Sequence, residues 1–153
     1  MQTLYQWLVF LHVLAAMVWV GGLAALTASG TNALRTGEPE AVARFIGSLR
    51  VIGPRALAPA SVLVLVLGVW MVLDSAAWTF GQTWIWLALV LLATAVLAGI
   101  VVLSRAALAA ERAVKSGDHA AAAGQLRRWL WGVALILLLL VVATWDMVFK
   151  PGT

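Results

Sequence analysis

Apolar residues in this chain collect in four uncharged stretches, 4–34, 56–73, 82–104 and 129–145, with the charged residues between and beside them. Crossing a bilayer takes about 20 mostly apolar residues, with a range of roughly 17–25. Each stretch therefore predicts a membrane-spanning helix, and the spans are expected at 4–29, 56–74, 82–104 and 127–149. Between the first two, Glu38-Pro39-Glu40 reads as a helix start, with proline in the first turn and acids at the positive end of the dipole. Val42, Phe45, Ile46 and Leu49 then recur at helical spacing, which predicts an amphipathic helix over 39–51 at the membrane surface, broken by Gly53-Pro54. The third helical pattern runs past the apolar stretch to Lys115. Gly117 is suited to end that helix and Asp118 to cap the next, so the third and fourth helices should project from the bilayer as a hairpin. Lys150-Pro151-Gly152 stops the last helix. The expected fold is all-α: one polytopic four-helix membrane bundle over 1–153.

Composition supports the membrane reading. The chain is 64% hydrophobic and 10% charged, against roughly 25% charged in soluble domains. Residues 1–7 hold no Lys or Arg and the first apolar run is long, so a cleaved signal peptide is not expected. The absence of cysteine excludes disulfides, zinc-thiolate sites, iron–sulfur clusters and covalently attached haem.

Charge adds orientation. Arg35, Arg44, Arg50 and Arg55 separate the first two spans, and Arg105, Arg112, Lys115, Arg127 and Arg128 separate the last two. These are nine of the ten basic residues; Lys150 is the other. The positive-inside rule puts both basic segments in the cytoplasm and both termini outside. The net charge of +4 then reflects orientation and not nucleic-acid binding. Arg105, Arg127 and Arg128 are expected to meet anionic lipids at the cytoplasmic face. Trp7, Trp70, Trp78, Trp84, Trp86 and Trp145 fall at the outer interface, and Trp129 and Trp131 at the inner one, as an aromatic belt. The small-residue pairs Gly21/Ala25 and Ala95/Gly99 suit close packing, within the bundle or in a homodimer.

Candidate chemistry is sparse and centres on His12, in the run LVFLHVLAAMVWVGG. An ionisable side chain within a span is expensive and by default marks a functional site. Trp19 shares its helical face. His12 lies about 12 Å and Asp146 about 6 Å below the outer ends of their helices, at a rise of about 1.5 Å per residue, so the two could meet. Asp146 and Lys150 are i,i+4 partners on the last helix. Three readings compete. His12 could ligate a b-type haem, with Trp19 packing on the macrocycle and Asp146 orienting the imidazole. It could bind copper together with the thioethers of Met71 and Met147. Or it could hydrogen-bond Asp146 as structural glue. His119, at a helix start, is expected to be solvated. No nucleotide-binding loop, nucleophile–base pair or metalloprotease motif is present, so catalytic residues are unassigned.

The segments LHVLAAMVWVGG, IGPRALAPASVLVLVLGVWMVL and WDMVFKPG resemble a bacterial family of predicted integral membrane proteins of unknown function, over nearly the whole chain. With that resemblance, the expected location is a bacterial cytoplasmic (inner) membrane. More distantly, the arrangement is similar to the copper resistance D-type membrane domain and the HemJ-type protoporphyrinogen oxidase. Both carry a histidine in a comparable first helix, followed by Trp and Gly. The HemJ type also ends a helix with a Lys-Pro pair, matched here by Lys150-Pro151. The HemJ resemblance implies a haem-linked role for His12 and Lys150; the copper resemblance implies copper import or tolerance through His12. This chain departs from the copper family in having only four spans and no further His or Met motifs. Two matching residues do not carry over tetrapyrrole oxidation. With the resemblance included, the leading expectation is a redox-associated protein binding haem b. His12 would be its ligand, and Asp146 and Lys150 would support it or contact a propionate. Copper handling and a scaffold without cofactor are the alternatives.

Overall fold

The computed structural model describes residues 4–152. Its elements are α1 (Leu4–Thr36), α2 (Pro39–Ile52), a π-helical turn (Gly53–Leu57), α3 (Ala58–Asp74), α4 (Thr83–Ala98), a second π-helical turn (Gly99–Leu103), α5 (Ser104–Lys115) and α6 (His119–Phe149). Among the described residues there is no strand. Leu4–Thr36, Pro39–Asp74, Thr83–Lys115 and His119–Phe149 are long and apolar enough to cross a membrane, so the protein is an all-α bundle of four spanning helices.

These helices outrun the apolar stretches that announce them. α1 has 33 residues, or about 50 Å of helix at about 1.5 Å per residue, against a hydrocarbon core about 30 Å thick. The excess carries Arg35 at one end. α5 and the start of α6 extend the same end, joined by Gly117 at φ +75° and capped where the Asp118 side chain accepts from the Ala121 N–H.

Gly53-Pro54 does not break the second helix, contrary to the expectation from sequence. Residues 39–74 run on as one helix of 36 residues. Proline costs an α-helix a hydrogen bond and a clash with the carbonyl four residues back, and the wider i→i+5 turn over Gly53–Leu57 accommodates both. The apolar face of α2 is covered by protein. It buries Val42, Phe45, Ile46 and Leu49 against the projecting parts of α1, α5 and α6, because those helices extend far enough to receive them. Phe45 packs edge-on to Trp129, with ring centroids 5.9 Å apart. Trp129 is consequently a core residue and not an interfacial one. A salt-bridge clamp closes this end: Glu111 takes Arg50 and Lys115, each at 2.7 Å. Glu111 lies beyond the apolar part of its helix. The hydrogen bond from Lys115, with the charge of Arg50 behind it, holds its carboxyl below the usual range.

In the bundle α1 packs most extensively on α3, and α4 and α5 on α6, while α3 and α4 meet sparsely. Each π-turn ends in a leucine seated on a glycine of a neighbouring helix. A β-carbon at Gly22 would stand 2.6 Å from Leu57 Cδ2, and one at Gly132 would stand 2.7 Å from Leu103 Cδ2. The close approach on α1 therefore uses Gly22 and Gly30; nothing lies within 4 Å of a β-carbon at Gly21.

Candidate functional site

The polar groups at the His12 end come from four helices. On α1, seven positions from Leu8 to Ala33 are buried as the core stripe. His12 falls in the gap of that stripe between Leu8 and Ala15, at helical spacing from both, and is half-buried. Its ring lies against α3, where a β-carbon at Gly68 would be 3.4 Å from Cε1 and 3.8 Å from Nδ1. Glycine is thus what lets α3 approach the imidazole. The Val64 carbonyl, one turn back on α3, interacts with the ring. Nδ1 is enclosed without a hydrogen-bond partner among the described residues.

Asp146 is fully buried, continuing the core stripe of α6 one step beyond Ala143, and neither carboxyl oxygen has a hydrogen-bond partner among the described residues. The expected His12–Asp146 hydrogen bond is therefore absent, and so is an Asp146–Lys150 ion pair. The Lys150 backbone N–H donates to the Asp146 carbonyl at 2.8 Å, with Lys150 itself left-handed at φ 45°. Its ammonium sits 4.1 Å from the centroid of Trp78 and 5.4 Å from that of Trp84. Those two rings meet edge to face at 5.2 Å. A cation over indole faces is a favourable electrostatic arrangement, and it draws the side chain toward the short α3–α4 connection. The Trp84 Nε1 is another enclosed donor without a partner among the described residues.

The remaining candidates are dispersed. Met71 is half-buried on α3, three residues beyond Gly68 and so on the same helical face. Met147 packs against the hydrophobic core. Trp19 is buried about 10 Å further along α1, by helical rise, and lines a separate cleft shared with Trp129. His119 and Asp74 are exposed. Among the described residues no three His, Cys, Asp or Glu converge as a metal-holding group. Sequence reasoning missed Val64, Gly68, Trp78 and Trp84. Gly68 carried a usable signal, since it lies about 9 Å from the end of its helix by helical rise, near the depth of His12.

A chain of four membrane-length helices with ionisable groups enclosed in its apolar interior is an integral membrane protein of the four-helix bundle class. It belongs to the family described as "Predicted integral membrane protein (DUF2269)", whose model matches residues 6–151. No curated protein and no solved structure matches it.

Proposed function

We propose that this membrane protein has a redox-associated role and holds haem b through His12. The observation that carries the reading is two ionisable groups with enclosed atoms unsatisfied among the described residues: Nδ1 of the half-buried His12, and both carboxyl oxygens of the buried Asp146. Such groups are costly in an apolar bundle, and their persistence marks a site. The donor chemistry fits. Haem iron takes a neutral imidazole nitrogen, which His12 would supply, and the Val64 carbonyl beside the ring is a group able to orient it. Haem b bound there would supply one-electron transfer. Within this chain, Val64 and Gly68 lie beside the imidazole, and Lys150 would provide the positive charge a propionate requires. Asp146 is the enclosed carboxyl able to take up or release a proton. The other intramembrane positions offer no second histidine, so a second axial ligand would be Met71, Met147, Lys150, water or His12 of another copy.

Copper is the second reading, favoured by one observation: Met71 lies on the α3 face that His12 packs against, and imidazole with thioether sulfur suits Cu(I).

The test is the absorption spectrum of detergent-purified protein, oxidised and dithionite-reduced, from cells supplied with haem. A Soret band with reduced α and β bands, lost in His12→Ala, is expected. A featureless spectrum overturns the haem reading. Cu(I) titration of wild type and Met71→Leu then separates copper handling from a scaffold role.

A further inference from the structure

At the basic end of the bundle, away from His12, a cleft of about 410 Å³ opens between the second and third spanning helices. Both π-helical turns line it, Gly53–Leu57 on one wall and Gly99–Leu103 on the other, with Trp19, Trp129 and Ile136 among the residues deeper in. π-turns are rare and are found frequently at functional sites. Here two of them, from different spans, border one space. Seating Leu57 on Gly22 and Leu103 on Gly132 ties the turns to α1 and α6, on opposite sides, and α3 and α4 meet only sparsely. The space lies within the range of ligand pockets, roughly 300–1,000 Å³, and is far larger than the voids that packed interiors keep.

The lining defines the occupant. Its walls are overwhelmingly apolar, and the polar side chains that reach it are Arg50, Ser61 and Ser104. The Ser61 hydroxyl donates to the Ala58 carbonyl. A polar head buried deep in the cleft would thus find little to bond, whereas a hydrocarbon chain fits the walls. Arg50 lines the cleft, and the exposed Arg55 and Arg105 are the next residues in sequence after the lining residues Pro54 and Ser104. Glu111 is one carboxylate shared between Arg50 and Lys115, so that cluster keeps a net positive charge. The cleft lies between two helices long and apolar enough to cross a membrane, and a bilayer supplies chains with phosphate heads.

We propose that this cleft retains one anionic phospholipid, an acyl chain between the two π-turns and its phosphate at Arg50, Arg55 and Arg105. The site is independent of the His12 reading and stands or falls without it.

Native mass spectrometry of the detergent-purified protein with added phosphatidylglycerol or phosphatidylcholine tests it. One phosphatidylglycerol per chain should survive activation that strips phosphatidylcholine. A β-carbon at Gly99 would lie 4.0 Å from Ile136 Cδ1, an ordinary contact. Gly99→Leu therefore fills the cleft without a clash at the β-carbon and should abolish retention. The double variant Arg55→Gln/Arg105→Gln leaves the Glu111 clamp intact and should weaken phosphatidylglycerol retention about thirtyfold, toward that of phosphatidylcholine. Equal retention of the two lipids by wild type overturns the proposal. So does undiminished phosphatidylglycerol binding in the double variant, or a fatty acid as the retained species.

Discussion

Asp146 is the most exacting residue in the molecule, because it is wholly enclosed and neither carboxyl oxygen is satisfied among the described residues. A buried polar group without a partner costs about 1–3 kcal/mol, and an apolar replacement of similar shape removes that cost. Asp146→Val should therefore raise the stability of the detergent-solubilised protein by about 1–3 kcal/mol, measured as a higher thermal midpoint. A lower midpoint would mean that the carboxyl has a stabilising partner. Should the variant be more stable and also lose the reduced haem bands, the carboxyl is kept for function at the expense of stability. The presence of His12 and Asp146 near one end was legible in the sequence, because helical rise converts position into depth. Their failure to meet was not, since depth leaves the direction around each helix axis open. The ring of His12 turns to Gly68 on α3, and Asp146 follows the buried stripe of α6.

At the scale of the element, glycines separate into those that admit a neighbour and those that do not. A β-carbon at Gly30 would meet the Phe45 ring at 2.9 and 3.0 Å and Leu130 at 3.3 Å, and Phe45 is itself held against Trp129. A rigid ring cannot yield as a leucine tip can. Gly30→Ala should cost about 1–3 kcal/mol from overpacking, less up to about 1 kcal/mol regained from helix propensity. Gly21, on the same helix with nothing within 4 Å, should gain from the same substitution. Thermal midpoints of the two variants moving in opposite directions is the expected result, and parallel shifts would contradict the α1–α2 packing. The pattern Gly21/Ala25 pointed to close approach on this helix, but the contacts fall on Gly22 and Gly30, one position off the motif. The Gly53-Pro54 pair was harder to read. Proline inside a helix is relieved either by ending it or by widening a turn. The choice depends on α2 having a core to pack against, which lies in residues distant in sequence.

Across the whole molecule the two ends have different work. One carries the nine clustered basic residues of the sequence, the α2 wall and the Glu111 clamp; the other carries His12, Asp146 and the lysine held over Trp78. Four spans follow from hydropathy alone, because in hydrocarbon a backbone must satisfy its own hydrogen bonds and a long apolar stretch has few alternatives to a helix. The asymmetry of charge carries the expectation of orientation, with the basic end in the cytoplasm. The absence of native cysteine makes this directly measurable. Thr79 lies in the short α3–α4 connection and Ser116 in the α5–α6 turn, and both are exposed. Single variants Thr79→Cys and Ser116→Cys, treated in intact cells with a membrane-impermeant maleimide, should behave oppositely. Thr79→Cys should label at once, and Ser116→Cys only after the membrane is permeabilised. The reverse pattern would place His12 toward the cytoplasm and the π-turn cleft toward the outer leaflet. Electron donors to His12 and anionic lipids for the cleft would then have to come from the opposite sides of the membrane.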